Sequence, residues 1–280
     1  PAAWQIIATG VSRGQSPAGA GWTQYAYESG PARDFFIAAS PDFQLLHGVS
    51  EGVTVNAYYL PGSEVGAEQV LEVGEQALEI FTKDYGAYPY SELDIVQAPM
   101  RNALGVEYPG IVLIGSEGYS DPDQPTFIVT IAHEVAHQWW YNVVGNDVFQ
   151  EPWLDEGLTT FSSALYYEEA GGRQAYEGVR SYWQDRYDKL LQENRDAPLS
   201  WSLSQFMEQD AEAYAPIAYS KGALFFDALR SEVGDEAFFA ALQAYYQDHQ
   251  FAIASGDDLR AAFIQAGGSQ AGALFDEWLK

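Results

Sequence analysis

The stretch Ile131-Ala132-His133-Glu134-Val135-Ala136-His137-Gln138-Trp139-Trp140 decides how this chain is read. On a helix, residues i and i+4 stand one above the other, so His133 and His137 can aim ring nitrogens at a single ion. Glu134 lies about 100° further round, badly placed to complete the same coordination set but able to reach a water on the metal. Two imidazoles and a carboxylate with one position left to water make up a catalytic zinc site rather than a closed one. The segment is otherwise apolar, and burying two histidines and a glutamate there without compensation would be costly. A bound metal removes that cost.

A third ligand must come from elsewhere. A histidine six residues after His137, with a glycine between, would need Gly at 140 and His at 143, where the chain has Trp140 and Val143. The other common solution is a glutamate on the next helix. Eighteen residues intervene between His137 and Glu156, which lies within Glu151-Pro152-Trp153-Leu154-Asp155-Glu156-Gly157-Leu158. Pro152 suits the first position of that helix, and Gly145 to Asp147 offer a turn that would bring Glu156 back to the histidines.

Outward from this centre the chain changes character. Trp4–Gly10, Thr23–Ser29, Asp34–Ser40 and Val53–Leu60 are aromatic and β-branched and read as strands, with 12–21 as a long hairpin loop. From Ser63 to Tyr85 apolar residues recur at helical spacing, stopped by Gly86. Leu93–Ala98 and Gly110–Gly115 have the length of buried strands. Beyond Pro125 helices are expected over 126–144, 152–170, 173–193, 218–233, 235–248, 257–266 and 270–279, with glycine stops at 145, 171, 234 and 267. Ser255 is a plausible N-cap with Asp258 at N3. The class is α+β, a β-rich N-terminal segment followed by a small mixed sheet and a mainly helical lobe.

Composition narrows the function. Thirteen basic and 40 acidic side chains give a net charge of −27, which repels phosphate backbones and anionic lipid and makes nucleic-acid or membrane-surface binding poor expectations. No apolar run approaches the roughly 18 residues of a membrane span. The residues Pro-Ala-Ala-Trp at the start lack the basic and apolar regions of a signal peptide, and the compartment stays open. With no cysteine there is no disulfide, no thiol nucleophile and no thiolate ligand.

The motif, the eighteen-residue gap and the stretch Trp153-Leu154-Asp155-Glu156-Gly157 resemble the aminopeptidase N family of gluzincin metallopeptidases, in which Asn is usual where Asp155 stands. Three further segments resemble the same family: Tyr85-Gly86-Ala87-Tyr88-Pro89-Tyr90 with Leu93-Asp94-Ile95-Val96, then Gly105-Val106-Glu107-Tyr108-Pro109-Gly110, then Ala218-Tyr219-Ser220-Lys221-Gly222. Leu274-Phe275-Asp276-Glu277-Trp278-Leu279 is similar to the family's close of the catalytic domain. The resemblance implies a thermolysin-like catalytic domain over residues 50–280, with residues 1–49 as the C-terminal remnant of an N-terminal β domain.

It also implies roles. One Zn²⁺ would be held by His133, His137 and Glu156, with Glu134 as general base and Tyr219 as donor to the developing oxyanion. Gly105 and Glu107 would lie along the substrate, Glu107 pairing with its free α-ammonium, and Tyr214 would line the pocket. Asp155 reads as an orienting group or a helix cap rather than a ligand. His47 and His249 stand outside every motif and read as surface residues, and Trp139, Trp140 and Trp153 as core. The expected activity is removal of N-terminal residues from peptides with a free N-terminus. The alternatives are a thermolysin-like endopeptidase and, from another class, a non-catalytic zinc or peptide-binding module, which would need neither Glu134 nor Tyr219.

Overall fold

The computed structural model describes residues 3–280, in two compact units. The first runs up to Thr82 and includes Ala87–Gln138; the second is Lys83–Gly86 with Trp139–Lys280.

In the first unit, β1 (Gln5–Ala8), β2 (Val11–Pro17), β3 (Thr23–Glu28) and β4 (Ile37–Ser40) form two antiparallel pairs, β1 with β4 and β2 with β3. The loop expected over 12–21 is thus a strand for most of its length. Its Gly and Ser residues are exposed on both faces and carry no hydrophobic alternation, so backbone pairing with β3 holds it rather than a buried face. A five-stranded mixed sheet follows from β5 (Gln44–Ser50), β6 (Val53–Tyr59), β7 (Glu92–Ala98), β8 (Gly105–Tyr108) and β9 (Ile111–Gly115), in the order β5-β6-β7-β9-β8. Strand β5 is not among the expected strands; its Leu45 and Val49 face solvent, so no buried alternation marks it. Helix α1 (Glu64–Tyr85) connects the parallel neighbours β6 and β7, the βαβ crossover expected between parallel strands.

Alternation along β7 explains the layers. Ile95 points to α1, where a Cβ on Gly74 would stand 2.5 Å from Ile95 Cδ1, so the helix can lie close only because residue 74 has no side chain. Val96, on the other face, clusters with Ile7, Ile111 and Leu113 and with Phe36, Phe43 and Tyr58. Covered on both faces, β7 buries Leu93, Ile95 and Val96 together with two polar residues, Gln97 and Asp94, the latter accepting a hydrogen bond from Asn56 Nδ2 at 2.8 Å. Helix α2 (Pro125–Ala136) lies against β8 and β9.

The sequence reading carries α2 to Val144, but it stops at Ala136, with His137 as its C-cap still in helical geometry (φ −59°, ψ −15°). Trp139, Trp140, Val143 and Val144 are all buried, so this run has no solvent face for a surface helix. The chain instead turns through Tyr141 at φ 88°, with Val144 N donating to Trp139 O at 2.9 Å. Gly145 therefore caps no helix.

The second unit is helical: α3 (Pro152–Gln192), α4 (Leu203–Gln209), α5 (Gly222–Val233), α6 (Asp235–His249), α7 (Gly256–Gly267) and α8 (Ser269–Trp278). The two helices expected over 152–193 are one element broken at Gly172 (φ 73°), one residue beyond the expected stop. Likewise Gly268 (φ 78°), not Gly267, closes α7. Helix α4 was missed although Ser202 and Gln205 form a capping box, a local signal present in the sequence. Ser255 caps α7 with Asp258 as expected. The core is aromatic: Trp153, Phe161, Phe225, Phe226, Phe238, Phe263 and Phe275 are buried, Trp153 stacking on Phe226 at 6.2 Å.

Candidate active site

The first unit carries His133, Glu134, His137, Gly105 and Glu107. One turn of α2 separates His133 from His137, and their Nε2 atoms stand 3.2 Å apart with the rings 86° to each other. Two nitrogens about 2.0–2.1 Å from one tetrahedral zinc would be about 3.3 Å apart, so the pair has the spacing that the metal requires. The donor set, neutral imidazole plus carboxylate with no thiolate, also suits zinc in a catalytic role. Glu134, the residue between, is buried at 6% exposure.

Strand β8 lies under this helix at the edge of the sheet, paired among the described residues only with β9. A Cβ on Gly105 would come within 2.5 Å of Glu134 Cδ and closer still to Cγ and Oε1. Glycine at 105 is thus what allows the strand to pass beneath the carboxylate. Glu107, two residues on, shares the face of Gly105. A carboxylate oxygen of Glu107 lies within 4.8 Å of a ring nitrogen of His137. Gln138, at the end of the α2 region, fixes the β8–β9 turn by accepting from Gly110 N at 2.8 Å and donating to Tyr108 O at 3.0 Å. The outer edge of β8 has backbone groups that an extended peptide could pair with.

The second unit carries Asp155, Glu156, Tyr214 and Tyr219. Glu151 is the N-cap of α3 and Pro152 its first residue, so Asp155 is not the cap but a buried residue in the first turn. Glu156 is half-buried and accepts the Tyr219 hydroxyl on Oε1 at 2.5 Å. Tyr219 sits on a π-helical turn, Pro216–Lys221, that precedes α5; the expected helix start at Ala218 falls inside it. Burial pushes the Tyr219 phenol far above its ordinary pKa, and the charges of Glu156 and the neighbouring Tyr214 and Asp155 push the same way, so it stays a donor. The Tyr214 ring meets the Tyr219 ring edge-on at 5.9 Å.

Two glycines bring these groups together within the unit. A Cβ on Gly157 would stand 3.0 Å from Gly222 Cα, and one on Gly222 would stand 2.8 Å from Gly157 Cα. The second turn of α3 and the start of α5 therefore touch backbone to backbone, beside Glu156 and Tyr219. Both glycines stand in motif segments of the sequence, 65 residues apart, and only the fold brings them together. Trp139, Trp140 and Trp153 are core as expected. His47 is exposed, while His249 is half-buried against the Tyr245 ring at 5.2 Å.

Aminopeptidase M1-B of Oryza sativa subsp. japonica is 30% identical over 271 residues, covering 91% of this chain and 30% of that protein. Aminopeptidase N of Streptomyces lividans is 26% identical over 256 residues, covering 85% and 29%. The chain spans about 30% of the length of these relatives. The solved M1 zinc metallopeptidase of Deinococcus radiodurans has the same fold, with a TM-score of 0.79 at 21% identity over all of this chain and 62% of that one. Residues 69–278, three quarters of the sequence, match the Peptidase family M1 domain, and the chain belongs to that family.

Proposed function

We propose that residues 50–280 are the catalytic domain of a zinc aminopeptidase, with residues 1–49 the end of a preceding β domain. The observation that carries this reading is the His133–His137 pair at zinc spacing with Glu134 buried between them, in a chain of peptidase family M1 whose relatives bear the name aminopeptidase.

His133, His137 and Glu156 would hold the ion, which when bound lowers the pKa of a water toward about 7 and polarises the scissile carbonyl. Glu134 takes the proton of the attacking water and delivers it to the leaving amine. Its confinement over Gly105 supports this role, since a base held in one place loses no rate to searching for its geometry. Tyr219 donates its hydroxyl to the carbonyl oxygen as charge develops, a contribution typically worth about 3 kcal/mol. Glu107 receives the substrate's α-ammonium, fixing the scissile bond one residue from the N-terminus. Gly105 leaves room for the peptide along β8, and Tyr214 lines the pocket beside Tyr219. The substrates are peptides with a free N-terminus. Among the described residues no helix is long and apolar enough to cross a membrane.

The test is hydrolysis of free and N-acetylated aminoacyl amides by the zinc-loaded protein, its Glu134→Gln variant and its Glu107→Ala variant. Free-amine substrates are the ones cleaved, and Glu134→Gln keeps zinc while losing nearly all turnover. Glu107→Ala raises KM for free amines and narrows the preference over acetylated substrates. Equal cleavage of both substrate types by the unmodified protein would replace this reading with the endopeptidase one.

A further inference from the structure

A short loop in the second unit, Arg195-Asp196-Ala197, grips the segment that carries Tyr214 and Tyr219 at both of its ends. At the near end Arg195 donates to Asp210 through Nε at 2.7 Å and Nη2 at 2.5 Å, a two-pronged ion pair. Asp210 in turn caps the 3₁₀ turn Ala211–Ala213, which runs directly into Tyr214. At the far end Lys221 Nζ donates to Asp196 Oδ1 at 2.9 Å and to Ala197 O at 2.8 Å, and stands 5.3 Å from the centroid of the Tyr187 ring. Asp196 Oδ1 also accepts from Tyr187 Oη at 3.1 Å and from Ala197 N at 2.9 Å.

Lys221 is 5% exposed, and an ammonium this buried is costly unless its bonds are satisfied. What the arrangement holds is the π-helical turn Pro216–Lys221. Such turns are rare and occur mostly as single turns at functional sites; relaxation to an ordinary α-helix would rotate its side chains. Residues 219 and 221 lie about half a turn apart, so the face that carries Lys221 to the loop leaves Tyr219 on the opposite face, where its hydroxyl meets Glu156. The Gly157–Gly222 contact closes the third side.

We propose that Lys221 and Asp196 are positioning residues for Tyr219: their ion pair locks the π-turn in the one conformation that aims the phenol hydroxyl at the reaction centre. The proposal rests on the oxyanion role given to Tyr219 above. Neither residue touches substrate or metal; both act through the backbone of the turn.

The experiment is a double-mutant cycle on the zinc-loaded protein, with kcat, KM, bound zinc and Tm measured for Lys221→Met, Tyr219→Phe and the pair together. Lys221→Met is expected to lower kcat by about tenfold or more, since small misplacements of a reacting group are expensive, while KM stays within about threefold and zinc stays bound. The double variant is expected to match Tyr219→Phe alone, because a misaimed hydroxyl and an absent one cost the same step. Losses that multiply would show that Lys221 acts independently of Tyr219 and would overturn the proposal. Unchanged kcat in Lys221→Met would do so as well. A Tyr219→Phe variant with full kcat would instead remove the oxyanion role itself, and the positioning proposal with it. Should Lys221→Met fail to fold, Asp196→Asn carries the same cycle, its side chain being 44% exposed and tolerant of exchange.

Discussion

Alanine at position 105 tests the role proposed for Glu134 more sharply than removal of the carboxylate. Gly105 does not have a positive φ, so alanine meets no backbone strain there and only space opposes it. The new Cβ would lie 2.5 Å from Glu134 Cδ, whereas an ordinary carbon contact is about 3.5–4.0 Å. Something must move by about 1 Å. The least costly movement is of the Glu134 carboxylate, the end of a flexible side chain, so the stability cost should stay within about 1–3 kcal/mol. A displacement of about 1 Å in a general base can cost about 10²-fold in rate. Gly105→Ala should therefore keep its zinc, since neither His133 nor His137 is touched, and lose about 10²-fold in kcat for a free-amine aminoacyl amide. The assay pairs steady-state kinetics with metal content and a thermal melt. Retention of kcat within about threefold, in a variant that binds zinc and melts normally, would refute the argument: either β8 yields without moving Glu134, or Glu134 is not the base.

Three other outcomes follow from the same physics. Glu156→Gln should lose zinc on dialysis while Glu134→Gln keeps it, and elemental analysis giving equal retention would remove Glu156 from the ligand set. Gly222→Ala places a methyl 2.8 Å from Gly157 Cα, where both partners are backbone, so it should cost about 1–3 kcal/mol and lower Tm by several degrees; an unchanged melt would contradict the close helix contact. Burial pushes the Asp94 carboxyl up to about 7, despite the bond from Asn56. Between pH 4 and 7 the folded chain keeps a proton that the unfolded chain gives up, so this group makes stability fall as pH rises, by an amount on the order of a few kcal/mol. Asp94→Asn should therefore gain Tm over the parent at pH 8 and much less at pH 5, and equal gains at both would show that Asp94 is not the titrating group.

Local signals were readable in the residues themselves. The i, i+4 spacing of His133 and His137 needs only helical periodicity, and so do α1, the Ser255–Asp258 cap and the glycine stop at Gly234. Glu156 and Tyr219 became candidates through motif and resemblance. Within the second unit their hydroxyl–carboxylate bond joins residues 63 apart, a pairing no local pattern encodes.

What escaped the sequence has a common cause. A run such as Trp139–Val144, buried except for the half-buried Tyr141, has no amphipathic phase, so periodicity reads helix where the chain makes turns. Strand β2, exposed on both faces, gives no alternation, and its existence depends on a partner that lies beyond the loop. The sequence by itself determined the chemistry on α2, because ligand spacing on one helix is set by covalent geometry. Only the tertiary structure decided where Gly105 passes beneath Glu134, that Gly157 meets Gly222, and that Lys221 is buried on Asp196. Those depend on distances between segments remote in the chain, which packing sets and local periodicity does not record.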